Sequence, residues 1–362
     1  MRCPVIGRLP LPSPLMMPAR SIFAACMMLR NVSLRPYNTF GIDVTAKAMA
    51  QVTTEDALRE VLEHHRRSNQ ELLILGGGSN ILFTRNVDAL VLINQLEGIH
   101  ILSEDGQSVT VKAGAGVVWH DLVMHCVAQG WGGIENLSLI PGKVGAAPMQ
   151  NIGAYGVELR EVFTELEAIH IESGELRRFT NADCRFGYRE SVFKRDLRGQ
   201  YIITSVTLRL SKHPKLNTSY GAISQELEKM HVQQPTVADV SRAVINIRRS
   251  KLPDPAQLGN AGSFFKNPMV PEALAEHIRQ THPDLPSYPA DGGVKLAAGW
   301  LIEKCGWKGK VVGNTGSHRD QALVLVNYGN ATGQEIFQLS EKIMQSVRDT
   351  FGVELEREVN VY

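Results

Sequence analysis

ENLSLIPGKVGAAPMQNIGAYGVE, residues 135–158, is the segment of this chain least like an ordinary connection. Gly142, Gly145, Ala146, Ala147, Gly153 and Gly156 are interleaved in it with Pro148, Gln150, Asn151 and Tyr155. The run is too long and too small-residue-rich for a casual connection. Apolar Ile140, Val144 and Ile152 are threaded through it, which a solvated surface loop does not need. A backbone lying flat against a large planar ligand accounts for all of this. Small residues allow close approach, apolar residues anchor the loop, and the Gln and Asn amides fix the ligand edge.

Upstream, ELLILGGGSN (71–80) reads as a short buried strand running into a glycine loop, Gly76, Gly77, Gly78, Ser79 and Asn80. Consecutive glycines let backbone N–H groups converge on a pyrophosphate, and Ser and Asn add side-chain hydrogen bonds. The spacing is neither GxGxxG nor a Walker loop, so the Rossmann and P-loop folds are rejected. Between and beyond these loops, helical and strand patterns alternate. QVTTEDALREVLEHHRRS is an amphipathic helix with an expected capping box at Thr53 and Asp56. VWHDLVMHCVAQG is a helix closed by Gly130. ALVLIN, VTVKAGAG, FTELEAIH and YIITSVTLRL are strands. After about residue 212 helices dominate (TVADVSRAVINIRRSKLP, PEALAEHIRQ, VKLAAGWLIEKCG and TGQEIFQLSEKIMQSVRDTF), with strands at SFF, QALVLVN and VELEREVNVY. The class is α+β, with a glycine-rich nucleotide-binding front half and a smaller rear domain.

With 362 residues the chain has room for two or three structural units. Its 43% hydrophobic and 21% charged residues are those of an ordinary globular protein, and a net charge of +1 argues against a nucleic-acid or membrane surface. The cysteines (Cys3, Cys26, Cys126, Cys184, Cys305) are scattered without CxxC or metal-like spacing, so buried thiols in a reducing, cytoplasmic setting are expected, with no metal site. Residues 1–33 contain no Asp or Glu and show no helical period. They read as a disordered tail or as an extension ahead of an internal start at Met27 or Met28.

Five co-linear motifs carry a specific resemblance: PGKVGAAPMQNIGAYGVE, CRFGYRES, GNAGSFFKNP, VKLAAGWLIEKCG and HRDQALVLVN. Together, and starting from LRPYNTFGID at residue 34, they resemble the UDP-N-acetylenolpyruvoylglucosamine reductases. The resemblance implies a two-lobed FAD-binding domain of the vanillyl-alcohol-oxidase (PCMH) type and a smaller α+β substrate-binding domain. Lobe 1 is expected at 34–90 with a returning strand at 353–362, lobe 2 at 91–232, and the substrate domain at 250–352. It also implies non-covalent FAD, NADPH as hydride donor, and UDP-N-acetylglucosamine enolpyruvate as the substrate reduced to UDP-N-acetylmuramate for peptidoglycan. Hydride would pass from NADPH to flavin N5 and on to the enolpyruvyl methylene carbon. A monomer suffices for this.

Reducing an electron-rich enol ether requires a place for the developing charge and a proton for the adjacent carbon. By the resemblance, Arg189 in FGYRES holds the substrate carboxylate, and a guanidinium fork suits that work better than lysine. Glu358, near the chain end, is the matched acid. Here Arg357 stands where the family usually has proline, and Glu356 is the alternative acid. Because Glu354, Glu356 and Glu358 alternate on an expected strand, like charges on one face should raise a carboxyl pKa. Ser263 in AGSFFKN is the matched proton donor. It lacks the GxSxG elbow and neighbouring histidine that a nucleophile would want. Tyr220, Lys251, Asn267, Tyr288 and Gln321 match substrate contacts, with Arg248 a weaker candidate for the diphosphate, and Tyr188 is read as packing. Tyr220 marks the subtype in which a tyrosine closes over the diphosphate. Two other classes compete: an oxygen-using FAD oxidase, which needs no carbon protonation, and a non-catalytic nucleotide-binding regulator, which needs none of Arg189, Ser263 and Glu358.

Overall fold

The computed structural model describes residues 28–68, 70–290 and 292–362. Most of the N-terminal stretch, 1–27, lies outside the described residues. The boundary expected at residue 33 moves, however, because Leu29–Ser33 is a strand paired antiparallel with Thr45–Val52.

That pair starts the first lobe. Its sheet runs Leu29–Ser33, Thr45–Val52, Val87–Asn94, Leu72–Leu75, and the last three strands are mutually parallel. Val87–Asn94 is buried along almost its whole length, as a central parallel strand covered on both faces should be. Helix α1 (Glu55–Ser68) covers one face through Leu58, Val61 and Leu62. Its cap is Thr54, whose hydroxyl oxygen accepts from Ala57 N at 3.2 Å, one residue later than the capping box expected at Thr53. The second lobe is a five-stranded antiparallel sheet, Leu176–Thr180, Phe163–His170, Tyr201–Ser211, Ser108–Gly114, Ile99–Glu104. Helix α2 (Trp119–Ala128) packs on it, ending at Gly130 in the left-handed region. A single-turn helix, α3 (Asn181–Cys184), precedes the CRFGYRES motif. The lobes are tied by Asn94, whose Nδ2 donates to the Ile203 carbonyl at 2.9 Å.

Helices α4 (Gly221–Lys229) and α5 (Val237–Lys251) form a hairpin with its own small core of Ile223, Leu227, Ala243, Val244 and Ile247. Beyond it come α6 (Glu272–Thr281), α7 (Ala298–Lys304) and α8 (Gly333–Phe351). They surround a sheet of Gly259–Ser263, Val324–Asn327, Thr315–Ser317 and Val311–Val312 and a smaller one of Met269–Val270, Gly293–Leu296 and Ser287–Ala290. Two expectations change here. The strand of GNAGSFFKNP precedes the phenylalanines, and VKLAAGWLIEKCG splits into a strand and α7. The phenylalanines fill the interior instead, because Phe264 and Phe265 are fully buried beside Phe40. Burying each is worth about 1.5–3 kcal/mol. They sit in one core shared by the first lobe and the rear domain, which includes Met49, Val91, Ile336 and Ile343. The rear domain is thereby seated on lobe 1 through a continuous hydrophobic contact.

The chain end is also less regular than a full strand. Only Asn360–Val361 is a strand, parallel to Ile81–Leu82, and an isolated bridge joins Phe265 to Arg357. Among the described residues, no helix is long and apolar enough to cross a membrane, and no cluster of three or more His, Cys, Asp or Glu could hold a metal.

Candidate active site

The two glycine loops meet. Gly78 has a φ of +59°, and a Cβ there would lie 2.0 Å from the Tyr37 carbonyl oxygen, so only glycine fits. A Cβ on Gly77 would lie 3.1 Å from the Gly142 Cα, which brings loop 76–80 of lobe 1 into contact with the start of loop 142–156 of lobe 2. The Lys143 stem lies against Gly76 and Gly77, and its ammonium donates to the Gly116 carbonyl within lobe 2 at 2.7 Å. Among the described residues, none of the backbone N–H groups from Gly76 to Asn80 donates to a protein acceptor. A run of backbone donors with no acceptor in the protein is free to take an anion, and a simple tight turn would have closed some of them on itself. The residues present therefore fit the pyrophosphate of FAD.

The small residues of the second loop divide into two sets. Gly145 N donates to the Ala115 carbonyl at 2.9 Å, and Ala147 is buried, whereas Ala146 is exposed. Gly153 and Gly156 flank Tyr155, whose backbone is itself left-handed at φ +51°. Asn151 departs from expectation. It is fully buried at φ +43°, its Nδ2 donates to Glu158 Oε2 (3.0 Å) and the Gly187 carbonyl (3.1 Å), and its Oδ1 accepts from Arg160 N. Its side chain is consumed inside the protein and is not left to fix a ligand edge. Gln150 faces the seam instead.

The three candidate catalytic residues come from three segments: Arg189 and Glu358 touch, and Ser263 lies on the segment bonded to Glu358. Arg189 follows α3 in a left-handed conformation at φ +54°. Its Nη2 donates to the Gly153 carbonyl at 2.6 Å, and its Nε lies 3.2 Å from Glu358 Oε1. One planar fork thus joins the glycine loop to the terminal acid. Glu358 reaches this place because its N–H donates to the Phe264 carbonyl at 2.8 Å, and Ser263 is the residue before Phe264. Ser263 itself ends Gly259–Ser263 after a break in register opposite Val324, with Gly262 at φ +69°. Among the described residues its hydroxyl has no protein partner.

Exposure separates the two acids. Glu356 points outward and pairs with Lys266, and Glu354 pairs with Arg348 at the surface (Nη2–Oε2 2.7 Å). Arg357, in place of the family proline, lies over the Phe337 ring at 4.5 Å and donates to Ser340 Oγ on α8. That leaves Glu358 as the acid turned inward. Burial pushes the Glu358 carboxyl above the ordinary range, against the opposing charges of Arg189, Lys194 and Lys266. The like-charge cause expected from the alternating glutamates does not operate, because Glu354 and Glu356 are satisfied by their own cations.

The remaining candidates form a rim. The Tyr155 and Tyr220 rings meet edge to face at 5.3 Å, and Tyr220 is half exposed at the start of α4. Tyr288 is exposed and close enough to bear on the Tyr220 phenol. Burial raises the phenol pKa values of both Tyr155 and Tyr220, so both stay protonated donors. Lys251 ends α5 and is exposed. Two residues serve the architecture as well: Asn267 Oδ1 accepts from Ala298 N at the start of α7 (3.0 Å), and Gln321 Oε1 accepts from Leu323 N (3.3 Å). Arg248 is a strut more than a free cation: it donates to the Leu139 carbonyl at 3.2 Å and lies beside the Tyr155 phenol. Tyr188, read as packing, is 39% exposed and has the Lys295 ammonium 4.4 Å from its ring centre. Lys194, with its Nζ 3.2 Å from Gln150 Oε1, joins the site without having been a sequence candidate. A lysine five residues after the arginine carries no signal in the sequence until the turn between them is folded.

Comparison with known proteins gives matches along almost the whole chain. Residues 254–362 match the family model described as UDP-N-acetylenolpyruvoylglucosamine reductase, C-terminal domain, and residues 46–180 match an FAD binding domain. The chain is 53% identical over 333 residues to the UDP-N-acetylenolpyruvoylglucosamine reductase of Pseudomonas fluorescens, covering 92% of this chain and 98% of that one. It is 54% identical over 331 residues to that of Pseudomonas aeruginosa, covering 91% and 97%. Among solved structures, the UDP-N-acetylenolpyruvylglucosamine reductase of Thermus caldophilus superposes with a TM-score of 0.63 at 25% identity, covering 91% of this chain and 97% of that one.

Proposed function

The chain belongs to the UDP-N-acetylenolpyruvoylglucosamine reductase family, and on that premise we propose how its own residues carry out the reaction. It is an FAD-dependent oxidoreductase of peptidoglycan precursor synthesis, with the two-lobed FAD-binding domain and smaller α+β domain already described. NADPH is the reductant and UDP-N-acetylglucosamine enolpyruvate the acceptor, each a small-molecule partner of a monomer working in the cytoplasm. FAD supplies a two-electron hydride relay between them. The Gly76–Asn80 nest would hold its pyrophosphate, and the Gly145–Gly156 loop would back its ring system.

The observation that carries this reading is the partly buried Arg189–Glu358 pair with Ser263 on the adjoining segment. Hydride arriving at the enolpyruvyl methylene carbon makes a methyl group and moves the electron pair onto the neighbouring carbon and its carboxylate. Arg189 binds that carboxylate with its fork, and Glu358, whose protonated form burial favours, donates to the same oxygens. The Ser263 hydroxyl gives its proton to the carbon between them. Serine is a weak acid, so the step is favourable only because the carbon is strongly basic at that moment. Tyr220, Tyr288, Lys251, Asn267 and Gln321 hold the sugar nucleotide, and the exposed Tyr220 closes over the diphosphate.

The test is stoichiometric. Purified protein given NADPH and UDP-N-acetylglucosamine enolpyruvate should consume one NADPH per sugar nucleotide and yield a product two hydrogens heavier. NADPH oxidation that proceeds with oxygen and leaves the sugar nucleotide unchanged would instead favour an oxidase.

A further inference from the structure

We propose that Lys194 is a positioning residue for the second half of the reaction, acting by fixing which way round the Gln150 amide sits against Glu358. The inference rests on the reading that Glu358 serves the reacting centre.

Lys194 projects from a rigid base. It is the last residue of the 3-10 turn Val192–Lys194, whose Val192 and Phe193 are buried. Ser191 caps that turn by accepting from Phe193 N at 3.2 Å, and its hydroxyl donates to the Met149 carbonyl at 2.7 Å. The turn is thereby pinned to the residue preceding Gln150. From there the Lys194 ammonium lies 3.2 Å from Gln150 Oε1 and 3.4 Å from the Arg189 carbonyl oxygen. Asn80 Nδ2, at the end of the glycine nest, is a second donor to the same Gln150 Oε1 at 3.3 Å.

Two donors on one oxygen determine the orientation of the amide. Turned over, Gln150 would present N–H groups to an ammonium and another amide N–H. In the orientation that satisfies both, Gln150 Nε2 donates toward Glu358 Oε1 at 3.4 Å. Arg189 Nε approaches that same Oε1 at 3.2 Å. Both donors crowd onto Oε1, so the proton of a protonated Glu358 belongs on Oε2, which has no protein partner among the described residues. A flipped Gln150 would offer Oε1 a carbonyl acceptor and draw the proton to the wrong oxygen. Lys194 thus decides, one residue removed, which carboxyl oxygen can donate.

The test is a double-mutant cycle on the FAD-loaded enzyme, with the two half-reactions followed separately under nitrogen. Lys194→Met should leave reduction by NADPH within about threefold of native and slow reoxidation by UDP-N-acetylglucosamine enolpyruvate about ten- to a hundredfold. Gln150→Leu removes the group through which Lys194 acts, so the double variant should be no slower than Gln150→Leu alone. Independent, multiplying losses would overturn the proposal, as would a Lys194→Met enzyme with native reoxidation. Should Lys194→Met fail to retain FAD, Lys194→Gln keeps a donor amide, and the proposal then requires near-native reoxidation from it; a loss there as large as the loss from Gln150→Leu would overturn it. A native enzyme reduced by NADPH but never reoxidised by the sugar nucleotide would overturn the functional reading itself, which is a separate result.

Discussion

Replacing Arg189 with lysine keeps the charge and removes the fork. The guanidinium serves two acceptors with two different nitrogens, Nη2 on the Gly153 carbonyl at 2.6 Å and Nε on Glu358 Oε1 at 3.2 Å. A single ammonium on a narrower stem can satisfy one of them, and a substrate carboxylate would be a third claimant. At least one hydrogen bond involving a charged group is lost in a largely buried place, worth about 1.5–3 kcal/mol. At about 1.4 kcal/mol per factor of ten, the reoxidation step should slow between about ten- and a hundredfold. Reduction by NADPH builds no charge on a substrate carboxylate, so it should stay within about threefold. Anaerobic stopped-flow at the flavin absorbance reads each step separately. Equal slowing of both half-reactions would show that Arg189 merely holds the fold, and slowing of neither would remove it from the site.

Three further outcomes follow from the same geometry. Ser263→Ala should still be reduced by NADPH but lose about 10²- to 10⁴-fold in reoxidation, the usual worth of a positioned proton donor; rapid-mixing rates that match the native enzyme in both steps would end that role. Glu358 has its pKa raised by burial, so its effect on stability is fully present below the unfolded carboxylate value of about 4.3 and is lost as pH rises through the higher folded value. The thermal midpoint of the native protein relative to Glu358→Gln should accordingly fall with rising pH across that window and then level off, and a difference that grows with pH would refute the assignment. Gly78→Ala forces a Cβ to within 2.0 Å of the Tyr37 carbonyl at a left-handed φ, and should displace the loop, lower stability by more than about 1 kcal/mol and release FAD on gel filtration. Retention of native flavin content by that variant would mean the nest does not depend on the tight turn.

What is legible in the sequence is chiefly what local chemistry enforces. The glycine loops, the helix closed by Gly130 and the strands of the second lobe are written in spacing and residue type. The Arg189, Ser263 and Glu358 motifs are legible as matched positions, and folding brings Arg189 and Glu358 into contact with Ser263 alongside. What is not legible depends on burial and on long-range pairing. Leu29–Ser33 is a polar edge strand whose identity comes from its partner Thr45–Val52. Asn151 reads like Gln150 in sequence, yet one is turned wholly inward and the other faces the seam. The raised pKa of Glu358 is expected from neighbouring carboxylates but comes from desolvation, which no run of alternating glutamates can reveal. Lys194 acquires its meaning only when the 3-10 turn after Arg189 sets it over Gln150.

On the proposed reading, electrons pass at this site from NADPH through a bound flavin to an enolpyruvyl sugar nucleotide. The direct measurement is the visible spectrum of the purified protein under nitrogen through two additions. NADPH should bleach the yellow colour, and UDP-N-acetylglucosamine enolpyruvate alone should then restore it in full. A folded protein without flavin absorbance, or a bleached one that regains colour with oxygen and not with the sugar nucleotide, would contradict it.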